Sequence, residues 1–339
     1  MSDDTWAPMK YPGSFQGAPA FPSENPREEA WQRLLRFATP ELSTSLLARF
    51  GDQAEPLRRY VQARLRQAFE FRQAARGRSV MTSPLMLYYS FLNLARAIVA
   101  LREGLEGKRG HGLRFERVLD GTGLMDCAAK VQVGTFTDFL TATGRATAPH
   151  ATISLREALT SIPELVLAQS SAVGHSRVAE IHVVGYMEGP LRIELVFGIA
   201  GVSEQYFRDN WQAMFPTLKD LAILGEAGAR LKVTANIARS YTAISDFCHR
   251  NLLNDLMLRD DARWYLLRED RVPAWDRASY YLAAMFILSS IVRYEPDGLA
   301  DLVATGSDAA WMLDRFVDKA DRFFPQLMYS VATSRPMYF

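Results

Sequence analysis

With 339 residues, 48% of them apolar and 23% charged, the chain has the composition of a folded globular protein and the length for two lobes. A formal net charge of +1 excludes a global attraction to nucleic acid or membrane, so any such attraction must be local. Its two cysteines, Cys127 and Cys248, form no CxxC pair, which excludes a cysteine-built zinc site and fits a reducing compartment.

Residues 1–26 carry Pro8, Pro12, Pro19, Pro22 and Pro26, so they cannot be helical. Trp6, Tyr11, Phe15 and Phe21 are too many aromatics for a free tail, and an extended arm lying on the body is expected. There is no basic segment followed by an apolar run of the secretory kind. The longest apolar stretch, Tyr280 to Val292, is shorter than the roughly 20 residues of a bilayer span. A cytoplasmic protein with no membrane partner is expected.

Residues 27–113 read as an N-terminal helical region. Asn25 and Pro26 form a start signal, with Glu28 and Glu29 in the first turn. A second helix is expected from about Pro56 to Ala75, where Leu57, Val61, Leu65, Ala68 and Phe69 keep helical spacing, and Gly77 ends it. Ser83 and Pro84 then supply a cap and a first turn. Leu85, Tyr88, Leu92, Ala95 and Val99 form the apolar face of a helix reaching about Arg102, and Gly104, Gly107, Gly110 and Gly112 interrupt the chain beyond it.

Residues 114–240 change character. KVQVGTFTDFL, AEIHVVGYMEG, LRIELVFGIAG and RLKVTANI are β-branched and punctuated by glycine, and read as strands. SLREALTSIPEL reads as a short helix with a Ser154–Glu157 capping box. VSEQYFRDNWQAMF reads as a helix up to Pro216. Residues 241–339 return to helix: SDFCHRNLLNDLML from Ser245, then ASYYLAAMFILSSIVRYEP, apolar almost all round and therefore buried, then DAAWMLDRFVDKADRFF. The expected fold class is α+β, a helical body formed by both ends of the chain around a β-rich middle region.

Four places could carry chemistry. His111 lies in a glycine-flanked turn, Arg109-Gly110-His111-Gly112, where backbone can approach a ligand. Beside Arg109 its imidazole would be neutral and suited to general-base work, or it could cap the preceding helix. Tyr89, Asn93 and Arg96 stand at i, i+4 and i+7 as one polar stripe, which holds an anion through Arg96 or bonds to a neighbouring helix. Arg293 ends the apolar helix. It either meets Glu295 and the last carbonyls or lines one pocket with Arg96. Arg58, Arg59, Arg64, Arg66, Arg72, Arg76 and Arg78 fall within 21 residues against Glu70 alone, a pattern suited to phosphate contacts or to a solvated helix face. No metal or cofactor motif is present: there is no Walker loop, GxSxG or HExxH.

The run LYYSFLNLARAIVALREGLEGKRGHGL resembles the central motif of YaaC-like proteins, a bacterial family. ILSSIVRYEPDGLADLV, with DRFFPQLM after it, resembles that family's second motif, so the likeness spans most of the chain. More distantly, Tyr88, Tyr89, Ala95, Ala97, Gly104, Leu105, Lys108 and His111 are similar to the pattern of HEPN domains. That likeness implies a HEPN-like helical body and a nucleic-acid-directed protein of defence or stress response, RNA-binding or RNase-like. HEPN RNases place an Arg four to six residues before their His. Here eight residues separate Arg102 from His111 and one separates Arg109 from it, a departure from the nuclease signature. The expected partner is RNA or another nucleic acid. The alternative is a non-catalytic subunit that binds a protein from the same operon or forms a homodimer.

Overall fold

The structure is a computed structural model that describes residues 6–8, 23–117, 123–145, 147–172, 177–186, 192–198, 202–220, 222–226, 228–234, 253–255, 264–267 and 275–333. The chain divides into two units, one of residues 22–173 with 275–337, the other of residues 174–274 with the N-terminal strand. The described residues are mostly helical, with small antiparallel sheets, which agrees with the α+β class.

The N-terminal strand, β1 (Trp6–Pro8), is the described part of the expected arm. The larger unit opens with α1 (Pro26–Arg36), whose N-cap Asn25 accepts from the Glu28 N–H at 3.3 Å. A short α2 (Pro40–Leu47), which the apolar periodicity did not single out, leads to α3 (Ala54–Ala75). Next comes α4 (Ser83–Glu103). Its cap position is Thr82, and Ser83 is already helical, with its hydroxyl donating to the Ser79 carbonyl at 2.8 Å. Gly104, with φ +71°, ends α4 in the left-handed conformation that glycine adopts at low cost.

The strands β2 (His111–Glu116), β3 (Ala128–Gly134) and β4 (Thr152–Ser154) form an antiparallel sheet in that order. The expected strand KVQVGTFTDFL is half right. It leaves the sheet at Gly134 and becomes α5 (Thr135–Ala142), because Phe136, Phe139 and Leu140 bury at helical spacing and the Thr137 hydroxyl donates to the Gly134 carbonyl at 2.8 Å. The expected capping box opens α6 (Leu155–Thr160), with Glu157 N–H to Ser154 Oγ at 3.1 Å and Ser154 N–H to Glu157 Oε2 at 2.8 Å. After α7 (Val166–Ala172) the chain enters the smaller unit.

There, β5 (Val178–Tyr186) pairs along one edge with β6 (Arg192–Gly198). Helix α8 (Glu204–Met214), capped by Ser203, buries Phe207, Trp211 and Met214 and stops short of Pro216, as expected. The remaining strands are β7 (Ala222–Leu224), β8 (Arg230–Thr234), β9 (Leu253–Asp255) and β10 (Trp264–Leu267), in the sheet order β7-β8-β6-β5-β10-β9. The free edge of β5 takes β10 along Val178–Ile181 and β1 along Val184–Tyr186. The helix expected from Ser245 is corrected where it is described: Leu253–Asp255 is a strand, because β10 offers it a ladder. Residues 245–252 and 256–258 lie outside the described residues. The larger sheet lies in the unit of residues 174–274, while β2, β3 and β4 belong to the other unit.

The larger unit is completed by α9 (Arg277–Tyr294), α10 (Pro296–Ala304) and α11 (Asp308–Thr333). At its centre, α4 is contacted by α3, α5, α9 and α11, which explains its apolar surface on every side. It is long and apolar enough to cross a membrane, but 78% of that window is buried here, as in a core helix. Phe91 of α4 stacks on Phe324 of α11 at 4.1 Å, and Tyr281 of α9 on Phe316 at 6.0 Å.

Candidate functional site

The site begins with two glycines that let backbone approach backbone. A Cβ on Gly112, whose φ is +77°, would stand 2.6 Å from the Phe136 nitrogen, and one on Gly134 would stand 2.4 Å from the Gly112 nitrogen. This closeness sets His111 at the start of β2, opposite Gly134, within reach of α4. There the Tyr88 hydroxyl lies 2.7 Å from His111 Nδ1. Phe286 of α9 forms a wall, its ring centre 5.4 Å from that of Tyr88 and 6.1 Å from that of His111. Tyr89 lies 6.5 Å from the imidazole and stacks on Phe71 of α3 at 5.4 Å.

Two arginines, Arg96 and Arg293, flank this pair, and a third, Arg64, lies beside Arg96. Arg96 of α4 donates through Nε to Thr135 Oγ1 at 3.1 Å and reaches the Gly110 carbonyl at 3.5 Å, the long limit of a hydrogen bond. Arg64 of α3 donates to Asn93 Oδ1 at 3.1 Å and Gln67 Oε1 at 3.3 Å, and lies over the Tyr60 ring at 4.8 Å. Arg293 of α9 donates to the Ser289 carbonyl and to Ser290 Oγ, each at 3.2 Å. Asn93 is held at both ends, since its amide nitrogen donates to the Tyr89 carbonyl at 2.8 Å. Asn93 therefore acts by fixing Arg64. Among the described residues none of these three arginines has a carboxylate partner.

The electrostatics reflect that arrangement. Burial, then the Arg96 and Arg293 charges, hold the His111 imidazole below its usual range, so it is neutral at pH 7. Burial drives the Tyr88 phenol far up, against the pull of the same two arginines. Burial also lowers Arg96, with the Arg64 charge next in size. Tyr88 is thus a phenol, and His111 Nδ1 is the partner that its hydroxyl has among the described residues. A buried hydroxyl proton left without an acceptor is costly, so Tyr88 donates to Nδ1 and the neutral imidazole carries its proton on Nε2.

The site unites His111, Asn93, Arg96 and Arg293, and adds Arg64 from the arginine-rich helix. Arg109 stays outside it, exposed and without a hydrogen bond or ion pair among the described residues. The charged neighbours of His111 are Arg96 and Arg293 instead. Arg293 does not meet Glu295, which pairs with Arg117 at 2.7 Å.

The other arginines of the run have separate fates. Arg58 and Arg59 both pair with Glu55, whose carboxyl the Arg58 bond, then the Arg59 bond, holds down at about 2. Arg72 is fully buried, 2.6 Å from Glu28 and 2.9 Å from Asp321, so it ties α3 to α1 and α11 and has no surface for a phosphate. Arg76 also pairs with Glu28. Arg66 and Arg78 are exposed. The run is therefore no continuous basic surface, because the balancing acids Glu28 and Asp321 come from distant helices. A separate groove of about 390 Å³ lies by Asn25, Pro26, Arg27, Glu28, Arg76 and Arg322, but Arg27 is committed to Asp318 at 2.6 Å and Arg76 to Glu28.

Tyr88, Thr135, Ser290 and Phe286 were not expected as site residues. Tyr88 sits on the apolar stripe and reads as core, and Thr135 meets Arg96 only because Gly134 turns the chain back onto Gly110. Among the described residues no three His, Cys, Asp or Glu are grouped to hold a metal ion.

The family model for YaaC-like proteins matches residues 50–332, more than half of the chain, and the chain belongs to that family. The match includes α4, the His111 turn and α9, which carry the site. No curated protein and no solved structure matches the chain.

Proposed function

We propose that this chain is a nucleic-acid-directed protein of bacterial defence or stress response, with an RNA phosphate held at the Tyr88–His111 pair. The observation that carries the reading is a neutral histidine flanked by Arg96 and Arg293, with Arg64 beside Arg96, none of the three having a carboxylate partner among the described residues. Such a site offers an anion hydrogen-bond donors and positive charge, and the HEPN-like motif pattern directs the choice of anion to RNA.

The test is the salt dependence of binding to a single-stranded RNA, read by fluorescence anisotropy. Three phosphate-directed arginines contribute a slope of log affinity against log salt of about −2. The triple variant Arg64→Gln, Arg96→Gln, Arg293→Gln should lose that part of the slope. Arg58→Gln with Arg59→Gln, at positions already balanced by Glu55, should leave it nearly unchanged. An identical slope in the triple variant and the wild type would sink the reading. Bound anion should also raise the His111 pKa, visible in its imidazole proton shifts between pH 5 and 8.

A further inference from the structure

We infer that the site is shaped for a phosphomonoester at the end of a nucleic-acid strand rather than for a diester within it. This deepens, and rests on, the nucleic-acid reading above. The first argument is charge. Arg64, Arg96 and Arg293 bring three positive charges with no carboxylate partner among the described residues. A phosphodiester returns a single negative charge, whereas a phosphomonoester carries about −1.5 to −2 at neutral pH. In a half-buried setting the incompletely neutralised cluster is the costlier one.

The second argument is the number of donors. The protein uses Nε and one terminal nitrogen of Arg96 and of Arg293, and one terminal nitrogen of Arg64. Each guanidinium therefore keeps a terminal NH2 group with no protein partner among the described residues. The Nε2 proton of His111 is a fourth donor group. A diester has two non-bridging oxygens to receive them, and a monoester has three. Half-buried Tyr89, backed by Phe71, gives the terminal base a ring to stack on.

Binding of one labelled single-stranded RNA would be compared with 5′-phosphate, 3′-phosphate and hydroxyl ends, with uridine monophosphate as competitor. The inference expects one phosphorylated end to bind about tenfold tighter than the hydroxyl-ended strand, the gain from a further charged hydrogen bond. Arg293→Gln, which lies at a helix end and carries no inter-element bond, should remove that gain, so that phosphorylated and hydroxyl ends bind alike. Arg96→Gln should do the same if its circular dichroism matches wild type. Equal affinity for all three ends overturns the inference while leaving the nucleic-acid reading standing. Failure of every strand to bind overturns both. Competition by uridine monophosphate at the concentration of the strand itself overturns the strand end as the source of the phosphate.

Discussion

At the scale of the residue, buried arginine decides more here than exposed arginine. Arg72, fully buried, holds Glu28 and Asp321 together, and those two carboxylates would face each other without it. Arg72→Met should cost about 3–5 kcal/mol in urea unfolding, because removing one partner of a buried ion pair leaves charge uncompensated. The same network sets an acid limit. The Arg72 hydrogen bond, with the nearby arginine charges, holds Glu28 below its ordinary 4.5. Its contribution is therefore complete above pH 4.5 and drains away as pH falls through the lowered folded value. Glu28→Gln should flatten that limb of the stability–pH curve, and an unchanged limb would assign the acid loss elsewhere. At the site, Gly110 and Gly112 differ although both have positive φ. A Cβ on Gly110 meets nothing within 4 Å, whereas one on Gly112 meets backbone at 2.6 Å. Gly112→Ala should cost a few kcal/mol and loosen the Tyr88–His111 contact, while Gly110→Ala should cost about 1 kcal/mol, as thermal melts and the His111 ring shifts would report.

At the scale of the element, α4 joins the core to the site. Tyr88, Asn93 and Arg96 face the site, and Phe91, Leu94 and Ile98 fill the interior from the same helix. Phe91→Ala, removing a fully buried ring stacked on Phe324, should destabilise by about 3–5 kcal/mol. A smaller loss would mean that α11 can settle into the space. Helical spacing made α4 and α9 legible from residue order, and the Ser154–Glu157 box did the same for α6. Residue order could not show where the ladder partners lie. Leu253–Asp255 has the local pattern of a helix and is a strand because β10 runs beside it. Thr135–Ala142 is rich in Thr and Phe, yet leaves the sheet at a glycine whose role depends on Gly112, 22 positions earlier.

At the scale of the whole molecule, the α+β class and a helical body drawn from both ends of the chain could be read from the sequence. Composition alone does not show that β2, β3 and β4 belong with the helices of the larger unit. The site was half legible. His111, Asn93, Arg96 and Arg293 stood out as polar residues at the ends or along the faces of apolar segments. Arg64 was expected in a separate surface, and only the packing of α3 on α4 brings it to Asn93. That central position of α4 also bears on synthesis. Two of its covering helices, α9 and α11, lie in the last quarter of the chain, and α9 starts roughly 170 residues after α4 ends. At about 5–20 residues per second, a ribosome leaves this apolar helix without them for roughly 10–35 s. During that interval the segment that will carry Tyr88 and Arg96 is a natural client for a chaperone.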